Sequence, residues 1–357
     1  MLDLWSGLSG AGAAAVSTRR AAALLLGGLL LMGATPVHAA PAREVVRARV
    51  LMGTLCTLRT TAKDSLRAGE SLGAALDEIA RLETVMSDWS ATSEVARVNG
   101  LAAVRATGCS ADLFAVLDSA LTLARLTHGA FDPTVEPLVQ LWDMRGKGRL
   151  PDPVSVARIR PLIDHTQVTL DAPARTVRFG RVGMAFNLGG IGKGYALERA
   201  AAVLRARGVK SAQLDLGGQL FAFGAPCTLA VAHPGDRLRA MVRLLVRDAS
   251  VSTSSQSEHR VTVGRASFGH VLDPHQGVSV MSDASVTVVC DSPTRADALS
   301  TALLVMGREQ AEAFTRTQSG IGVLWLEPDG ASVRAWRWNL PQSSVAPGAL
   351  VVWNDAP

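Results

Sequence analysis

The sequence predicts an α+β protein built mainly from antiparallel sheets flanked by helices. Two observations predict this class: amphipathic helical patterns occur beside short aliphatic strand patterns, and several neighbouring strands leave no room for a helical crossover. The chain has 357 residues, of which 48% are hydrophobic and 19% charged. This composition can supply a full core and argues against a disordered chain.

Four helices are predicted from the spacing of apolar residues. In residues 65–86, apolar residues recur at three- and four-residue steps, which places them on one helical face. The same pattern covers residues 111–127, and Gly129 follows it as a stop signal. A third helix is predicted over residues 194–207, and a fourth begins near Arg295.

Strands are predicted where β-branched and aliphatic residues form short runs. These runs are AQLDL (212–216), MVRLLV (241–246), SVTVVC (285–290) and GIGVLWL (320–326). Residues 143–160 are instead rich in proline, glycine and charge, and we expect them to form a surface excursion between two lobes.

The first 39 residues predict a signal peptide, which leaves residues 40–357 as the folded domain. Arg19 and Arg20 precede a short apolar run, and Val37 to Ala39 fit a small-x-small cleavage site. The run is short for a stable membrane span, although an uncleaved anchor stays open. Because Ser-Thr-Arg-Arg resembles a twin-arginine signal, the export route also stays open.

Charge and cysteine content exclude some partners. The formal net charge of +5 is spread along the chain, and only 4% of residues are aromatic, so we expect no nucleic-acid partner. The four cysteines lie far apart with no Cys-x-x-Cys pair, which disfavours a zinc or redox motif. Disulfides formed in an oxidising compartment and buried free thiols are equal alternatives.

The segment NLGGIGKGYALERA, residues 187–200, places four glycines and a lysine before a helix. It is not a P-loop, because Gly194 follows Lys193 where that motif needs a hydroxyl, and it lacks the dinucleotide-binding glycine spacing. Flexible backbone, a cation and a helix start together favour an anionic ligand. The alternative is a structural turn that packs the helix on a sheet and leaves Lys193 in solvent.

Two further segments carry candidate chemistry. Asp297 and Thr301 are four residues apart and therefore share a helical face, where both offer oxygen to a hard cation such as Mg²⁺. A rival explanation is a capping box formed by Thr294 and Asp297. The segment HVLDPHQG, residues 270–277, presents His270, which either takes a proton during catalysis or hydrogen-bonds the Asp273 turn.

Eight segments in order resemble the ApbE family, the FAD:protein FMN transferases. They are MGT (52–54), MSDWSATSEVARVN (86–99), GAFDPTVEPLVQLW (129–142), NLGGIGKGYALE (187–198), DLGGQLFAFG (215–224), STSSQSEHR (252–260), HVLDPHQG (270–277) and ADALSTALLVMG (296–307). The resemblance implies a two-lobed fold with a flavin cleft and a periplasmic location. It also implies Mg²⁺-dependent transfer of FMN from FAD to a threonine or serine of an acceptor protein, with release of AMP. The implied acceptor is a membrane-bound respiratory or electron-transfer subunit.

The resemblance also assigns site residues by position. The implied flavin contacts come from Met52, Trp89, Ala130, Phe131, Asp132, Asn187, Lys193 and Val271. The implied magnesium ligands are the carbonyl of Gly190 and the side chains of Asp297 and Thr301, and His270 is the implied base. The chain departs from the family where Asn187 replaces the usual aspartate and Ser255 the usual glycine.

Several of these residues have plainer alternatives. Trp89 could belong to the core, and Asp132, which precedes Pro133, could cap a helix. Four other histidines show no partner pattern and are expected to be structural or solvated: His128, His165, His233 and His259. His275 lies two residues past Asp273 and is expected to be a turn residue. Two other functions use the same residues, namely an FAD pyrophosphatase with water as acceptor and a non-enzymatic periplasmic flavin carrier.

Overall fold

A nine-stranded sheet forms the framework of the computed structural model, which describes residues 41–257, 260–264, 266–347 and 350–354. Residues Ala42–Pro357 form one compact unit. The predicted signal peptide and His259 lie outside the described residues. None of the helices in the described part of the chain combines the length and hydropathy needed to span a bilayer.

The described residues form eight α-helices. They are α1 Ser65–Met86, α2 Glu94–Leu101, α3 Ala111–Leu126, α4 Glu136–Leu141, α5 Pro153–Ile159, α6 Gly192–Ala206, α7 Pro293–Met306 and α8 Arg308–Thr317. Three short 3₁₀ helices cover Arg160–Leu162, His165–Gln167 and Gln342–Ser344.

Nineteen strands occur in the same residues. They are β1 Arg43–Leu51, β2 Thr54–Ala62, β3 Thr107–Gly108, β4 Val168–Asp171, β5 Thr176–Phe179, β6 Ala212–Leu216, β7 Gln219–Phe223, β8 Cys227–His233, β9 Asp236–Val246, β10 Ala249–Ser255, β11 Arg260–Val263, β12 Ala266–Gly269, β13 Leu272–Asp273, β14 Val278–Ser279, β15 Ser285–Cys290, β16 Ile321–Asp329, β17 Ser332–Trp338, β18 Val345–Pro347 and β19 Val351–Trp353.

The main sheet is antiparallel except at one edge. Its strand order is β1-β2-β6-β7-β10-β15-β16-β17-β19, and only the last pair, β17 with β19, is parallel. Smaller antiparallel sheets are formed by β18-β9-β8, β3-β5-β4, β11-β12 and β13-β14. The predicted α+β class with mainly antiparallel sheets is therefore confirmed.

Local sequence explains the predicted elements well. Helix α1 begins after Asp64, whose carboxylate accepts the amide of Arg67, and every apolar residue of the predicted helical face is buried. The strand patterns at 212–216, 241–246 and 285–290 all lie in strands, because alternation matches burial on one or both faces. Helices α1, α6 and α7 pack together against the nine-stranded sheet.

The expected surface excursion, residues 143–160, is only partly exposed. Helix α5 lies within it and has no buried residue, which fits the expectation. Met144, however, is only 5% exposed, and Arg145 enters a buried ion pair with Glu136. Charge and glycine content predict a loop, but they do not predict that the side chains of Met144 and Arg145 point into the protein.

All four cysteines are free thiols in this structure. Cys56, Cys227 and Cys290 are buried, which favours the alternative of buried free thiols for these three, whereas Cys109 is partly exposed. Burial raises the pKa of the Cys56 thiol to about 12 and that of Cys290 to about 11. Such thiols are poor nucleophiles at neutral pH.

Close packing of α6 on α7 depends on Gly194. A Cβ at this position would overlap the carbonyl oxygen of Pro293 and lie 2.9 Å from Cβ of Asp297. We expect Gly194→Ala to lower the free energy of unfolding by about 1–3 kcal/mol, as overpacking does. Denaturant unfolding of the purified protein measures this.

A matched control is Gly73→Ala in helix α1, where nothing lies within 4 Å of the added Cβ. This substitution should leave the free energy of unfolding unchanged or raise it by up to about 1 kcal/mol, because alanine favours a helix. Equal unfolding midpoints for the two variants would contradict the packing argument.

Candidate active site

One cavity of about 280 Å³ brings together eleven of the twelve residues that the sequence singled out. The eleven that line it are Trp89, Ala130, Phe131, Asp132, Asn187, Gly190, Lys193, His270, Val271, Asp297 and Thr301. These residues come from separate helices and loops, so the cavity is a product of the fold. Their contacts with flavin or metal, and the role of His270, stay predictions.

Met52 is the exception, because it is not among the lining residues. It lies with Gly53 in the turn between β1 and β2, where the φ angles are +50° and +74°. Its Cε would lie 3.6 Å from a Cβ added to Gly192, so the side chain packs against the start of α6 instead. The implied flavin contact of Met52 stays a prediction.

The acid at the cavity wall, Asp297, caps a helix other than its own. Oδ2 of Asp297 accepts the amide of Gly194 at 2.9 Å, in the first turn of α6, where the N-cap residue Ile191 supplies no side-chain bond. The capping-box alternative is wrong. Ser292 caps α7 by accepting the amide of Arg295, and Thr294 donates its hydroxyl to Glu198.

The glycine-rich segment and α7 converge on one small region. Nζ of Lys193 lies 4.0 Å from Oδ1 of Asp297 and donates to the carbonyl of Gly189 at 3.4 Å. A Cβ on Gly190 would lie 3.3 Å from Oγ1 of Thr301, so a side chain at this position would crowd the hydroxyl. The alternative that leaves Lys193 in solvent is not supported, since its side chain is only 32% exposed and lines the cavity.

Hydroxyl groups behind Thr301 fix the direction of its proton. Ser300 donates to the carbonyl of Asp297 at 2.9 Å, and Oγ of Ser254 lies 2.8 Å from that of Ser300. Ser254 must therefore donate to Ser300. Thr301, whose Oγ1 lies 3.3 Å from Oγ of Ser254, then donates to Ser254. This order leaves the lone pairs of Thr301 for a cation.

The donors in this region suit a hard cation. A carboxylate, a hydroxyl and a nearby backbone carbonyl are all oxygen ligands of the kind that Mg²⁺ prefers. Within the part of the chain that the structure describes, no group of three or more His, Cys, Asp or Glu side chains could hold a metal ion.

Trp89 lies at the cavity and not in the core. The residue is 70% exposed, and the guanidinium carbon of Arg145 lies 5.7 Å from its ring centroid. The core alternative for Trp89 is therefore wrong. An exposed indole on a cavity wall is suited to stack on a planar ring.

Behind Trp89 lies a polar cluster that sequence analysis did not find. Nη2 of Arg145 donates to Oδ2 of Asp88 at 2.8 Å and to Oε2 of Glu136 at 2.6 Å. Nδ2 of Asn187 donates to the same two oxygens, at 2.6 Å and 2.9 Å. Burial works against the charge of Arg145, but the hydrogen bonds of Glu136 and Asp88 outweigh it and raise the pKa of the guanidinium.

The carboxylate of Asp132 is used within the protein. Oδ1 accepts the amide and the hydroxyl of Thr134, and Oδ2 accepts the amide of His165 and lies 2.9 Å from its Nδ1. The helix-cap alternative is wrong, because α4 begins at Glu136 after Val135. His165 thus has a partner that its sequence context did not reveal.

A buried glutamine holds the segment beside His270. The amide group of Gln256 donates to the carbonyls of Val271 and Val280, at 2.8 Å and 2.7 Å, and its oxygen accepts the amide of Val271. His270 itself is half-buried and lines the cavity. Asp273 organises the next turn, where Oδ1 accepts the amide of His275 at 2.8 Å.

The Ser255 departure from the family lies outside the cavity wall. Ser252, Thr253 and Ser254 line the cavity, whereas Ser255 is 4% exposed and pairs with the hydroxyl of Ser257. The Asn187 departure, by contrast, lies on the cavity wall and within the polar cluster.

Fold and cavity together define an α+β protein whose cavity is lined by a carboxylate, a lysine and an exposed indole. The ApbE family model matches residues 52–325. The chain therefore belongs to the ApbE family, and it is a flavin transferase.

Related proteins extend over most of the chain. An FAD:protein FMN transferase of Treponema pallidum is 31% identical over 312 residues, which covers 80% of this chain and 85% of the relative. One from Klebsiella pneumoniae is 27% identical over 332 residues, covering 88% of this chain and 94% of the relative.

Solved structures agree with this assignment. The apo form of the Pseudomonas stutzeri flavinyl transferase ApbE has a TM-score of 0.74 at 26% identity, covering 84% of this chain and 95% of that one. The ApbE protein of Thermotoga maritima also has a TM-score of 0.74, at 25% identity, covering 79% of this chain and 94% of that one.

Proposed function

We propose that this chain transfers FMN from FAD to a threonine or serine of an acceptor flavoprotein, in a Mg²⁺-dependent reaction that releases AMP. One observation carries the proposal: oxygen donors at Asp297 and Thr301, the cation of Lys193 and an exposed indole at Trp89 share one cavity. The names of the relatives support the choice of flavin as the ligand.

Binding follows from the charges and surfaces of the cavity. The ammonium group of Lys193 attracts the diphosphate of FAD, because it offers positive charge to an anion. Trp89 provides a face for one of the two ring systems of FAD.

Asp297, Thr301 and the carbonyl of Gly190 would hold the magnesium ion. The fit rests on the narrow space between Gly190 and Thr301 and on the proton order that leaves the Thr301 lone pairs available. When bound, Mg²⁺ neutralises phosphate charge near the bond that breaks. Asp297 also keeps its other oxygen on the amide of Gly194, so the ligand is already oriented.

The transfer exchanges the phosphoanhydride bond of FAD for a phosphoester bond to the acceptor. The hydroxyl oxygen of the acceptor bonds to the phosphorus of the FMN half while the bond from that phosphorus to the AMP oxygen breaks. His270 accepts the hydroxyl proton, and AMP leaves with the bridging oxygen and its negative charge. Lys193 stabilises the charge that builds up on the phosphate.

The test compares AMP release with covalent flavin attachment. The purified protein is incubated with FAD and Mg²⁺, with and without membranes from a strain that lacks it, and flavin fluorescence is read after denaturing electrophoresis. We expect fluorescent acceptor bands and matching AMP only when membranes are present. Full AMP release without membranes would favour the pyrophosphatase, and tight FAD binding without AMP release would favour the carrier.

We also propose that residues 1–39 direct export to the periplasm, where the acceptor is a membrane-bound respiratory or electron-transfer subunit. The basic pair before the apolar run supports this proposal. Replacing Arg19 and Arg20 by lysine and fractionating the cells measures export. If this change blocks export, the protein uses the twin-arginine route. If the unmodified protein is found in the cytoplasm, the proposal is overturned.

A further inference from the structure

The strongest unassigned feature is the polar ring formed by Asp88, Glu136, Arg145 and Asn187. Its members come from the end of α1, from α4, from the excursion and from the glycine-rich segment. The side chains of Asp88, Glu136 and Arg145 are 14%, 5% and 23% exposed. Three of the four, all but Glu136, line the cavity.

Every proton of two nitrogens is used in this ring. Nη2 of Arg145 and Nδ2 of Asn187 carry two protons each, and each nitrogen donates to Oδ2 of Asp88 and to Oε2 of Glu136. Donor and acceptor atoms therefore alternate around four corners. An aspartate at 187 would remove two donors and add a third carboxylate beside a single guanidinium.

The ring is joined directly to the binding surface. The side-chain oxygen Oδ1 of Asn187 accepts a hydrogen bond from the backbone N–H of Gly189 at 2.9 Å. The backbone N–H of Asn187 donates to the carbonyl of Pro133 at 2.7 Å. Asp88 immediately precedes Trp89, and the guanidinium of Arg145 lies over the same indole. A change in the ring thus reaches both the glycine-rich loop and the stacking surface.

We propose that Asn187 is a positioning residue whose neutral amide, matched to Asp88, Glu136 and Arg145, holds the glycine-rich loop and Trp89 in place for the flavin dinucleotide. The inference rests on the proposed function for the identity of the ligand. It makes the aspartate that is usual at this position in the family unsuitable in this chain, because the partners here already supply two carboxylates.

The test measures FAD binding by flavin fluorescence with three variants. We expect Asn187→Asp to raise the Kd for FAD at least about 10-fold at pH 8, comparable with the loss of outer-shell partners elsewhere. The gap to the parent should narrow towards pH 5.5, because the carboxyl introduced at position 187 lies beside two others, which favours its protonated form. Asn187→Ala should also weaken binding, but its gap to the parent should not narrow at low pH.

The control is Asp77→Asn, which breaks an exposed ion pair with Arg49 and should leave the Kd unchanged. An Asn187→Asp variant that binds FAD within two-fold of the parent at pH 8, or with a pH-independent deficit, overturns the proposal. If this variant does not fold, Asn187→Ala decides alone, and parental binding by it overturns the proposal.

Thermal unfolding without FAD separates this inference from the proposed function. Asn187→Asp should lower the Tm by at least about 4 °C relative to the parent and to Asp77→Asn, whatever the ligand is. If the parent binds FAD without turnover, the transferase proposal fails but the proposed role of Asn187 stands. If the Tm of Asn187→Asp is unchanged, the proposed role of Asn187 fails.

Discussion

Replacing Asp297 by asparagine is expected to reduce FMN transfer by about 10²–10³-fold, because the cavity loses its carboxylate next to Lys193 and Thr301. The amide oxygen of asparagine can still accept the Gly194 amide, so the fold keeps the cap on α6. The Tm without metal should therefore stay within about 3 °C of the parent. Initial rates over a Mg²⁺ titration, together with thermal unfolding in EDTA, measure both expectations.

Two comparison variants complete this experiment. Asp297→Ala removes the cap as well as the charge, and leaving a buried donor unpaired should cost a further ~1–3 kcal/mol of stability. Asp291→Asn alters an exposed carboxylate just before α7 and should change neither rate nor Tm. If the rate of Asp297→Asn depends on Mg²⁺ concentration as the parental rate does, Asp297 is not a magnesium ligand. Equal losses of Tm in the two Asp297 variants would make its role purely structural.

Replacing His270 by alanine is expected to reduce FMN transfer by about 10²–10⁴-fold, the usual contribution of a positioned base. A base must be unprotonated to accept the acceptor proton, so the parental rate should rise with pH across the range in which histidines lose a proton. The variant should lose this rise and keep its affinity for FAD. Rates from pH 5.5 to 8.5 with saturating FAD provide the measurement.

His275 offers a matched control for His270. It lies five residues further along the chain, in the turn between β13 and β14. Its side chain is 60% exposed, and its Nε2 lies 3.0 Å from the carbonyl of His128. His275→Ala should keep both the rate and its pH dependence. A His270→Ala protein that works within a few-fold of the parent at all pH values would show that His270 is a scaffold for the neighbouring turn.

Much of the fold was accessible from the sequence because the relevant signals are local. The strands at 212–216 and 285–290 and helix α1 follow from alternation and from three- and four-residue spacing. Pairing is different: β10 lies between β7 and β15, and no local pattern specifies those neighbours. The short helix α5 was missed because it buries no residue and so has no apolar face.

The site divides in the same way between local and distant information. The sequence predicts that Asp297 and Thr301 share one helical face, because four residues make about one helical turn. The capping box failed because the pattern at Thr294 cannot show that Ser292 already caps α7, or that Asp297 binds the amide of another helix. The polar ring was invisible because Asp88 and Asn187 are 99 positions apart.

The bond between Asp297 and the Gly194 amide has one further consequence. That N–H is a single backbone proton held by the acid on which the proposed chemistry depends. Its exchange with deuterium should be slow in the parent and in Asp297→Asn, and fast once alanine removes the acceptor. A single peptide in a mass spectrum can therefore report on the acid directly, without substrate or acceptor.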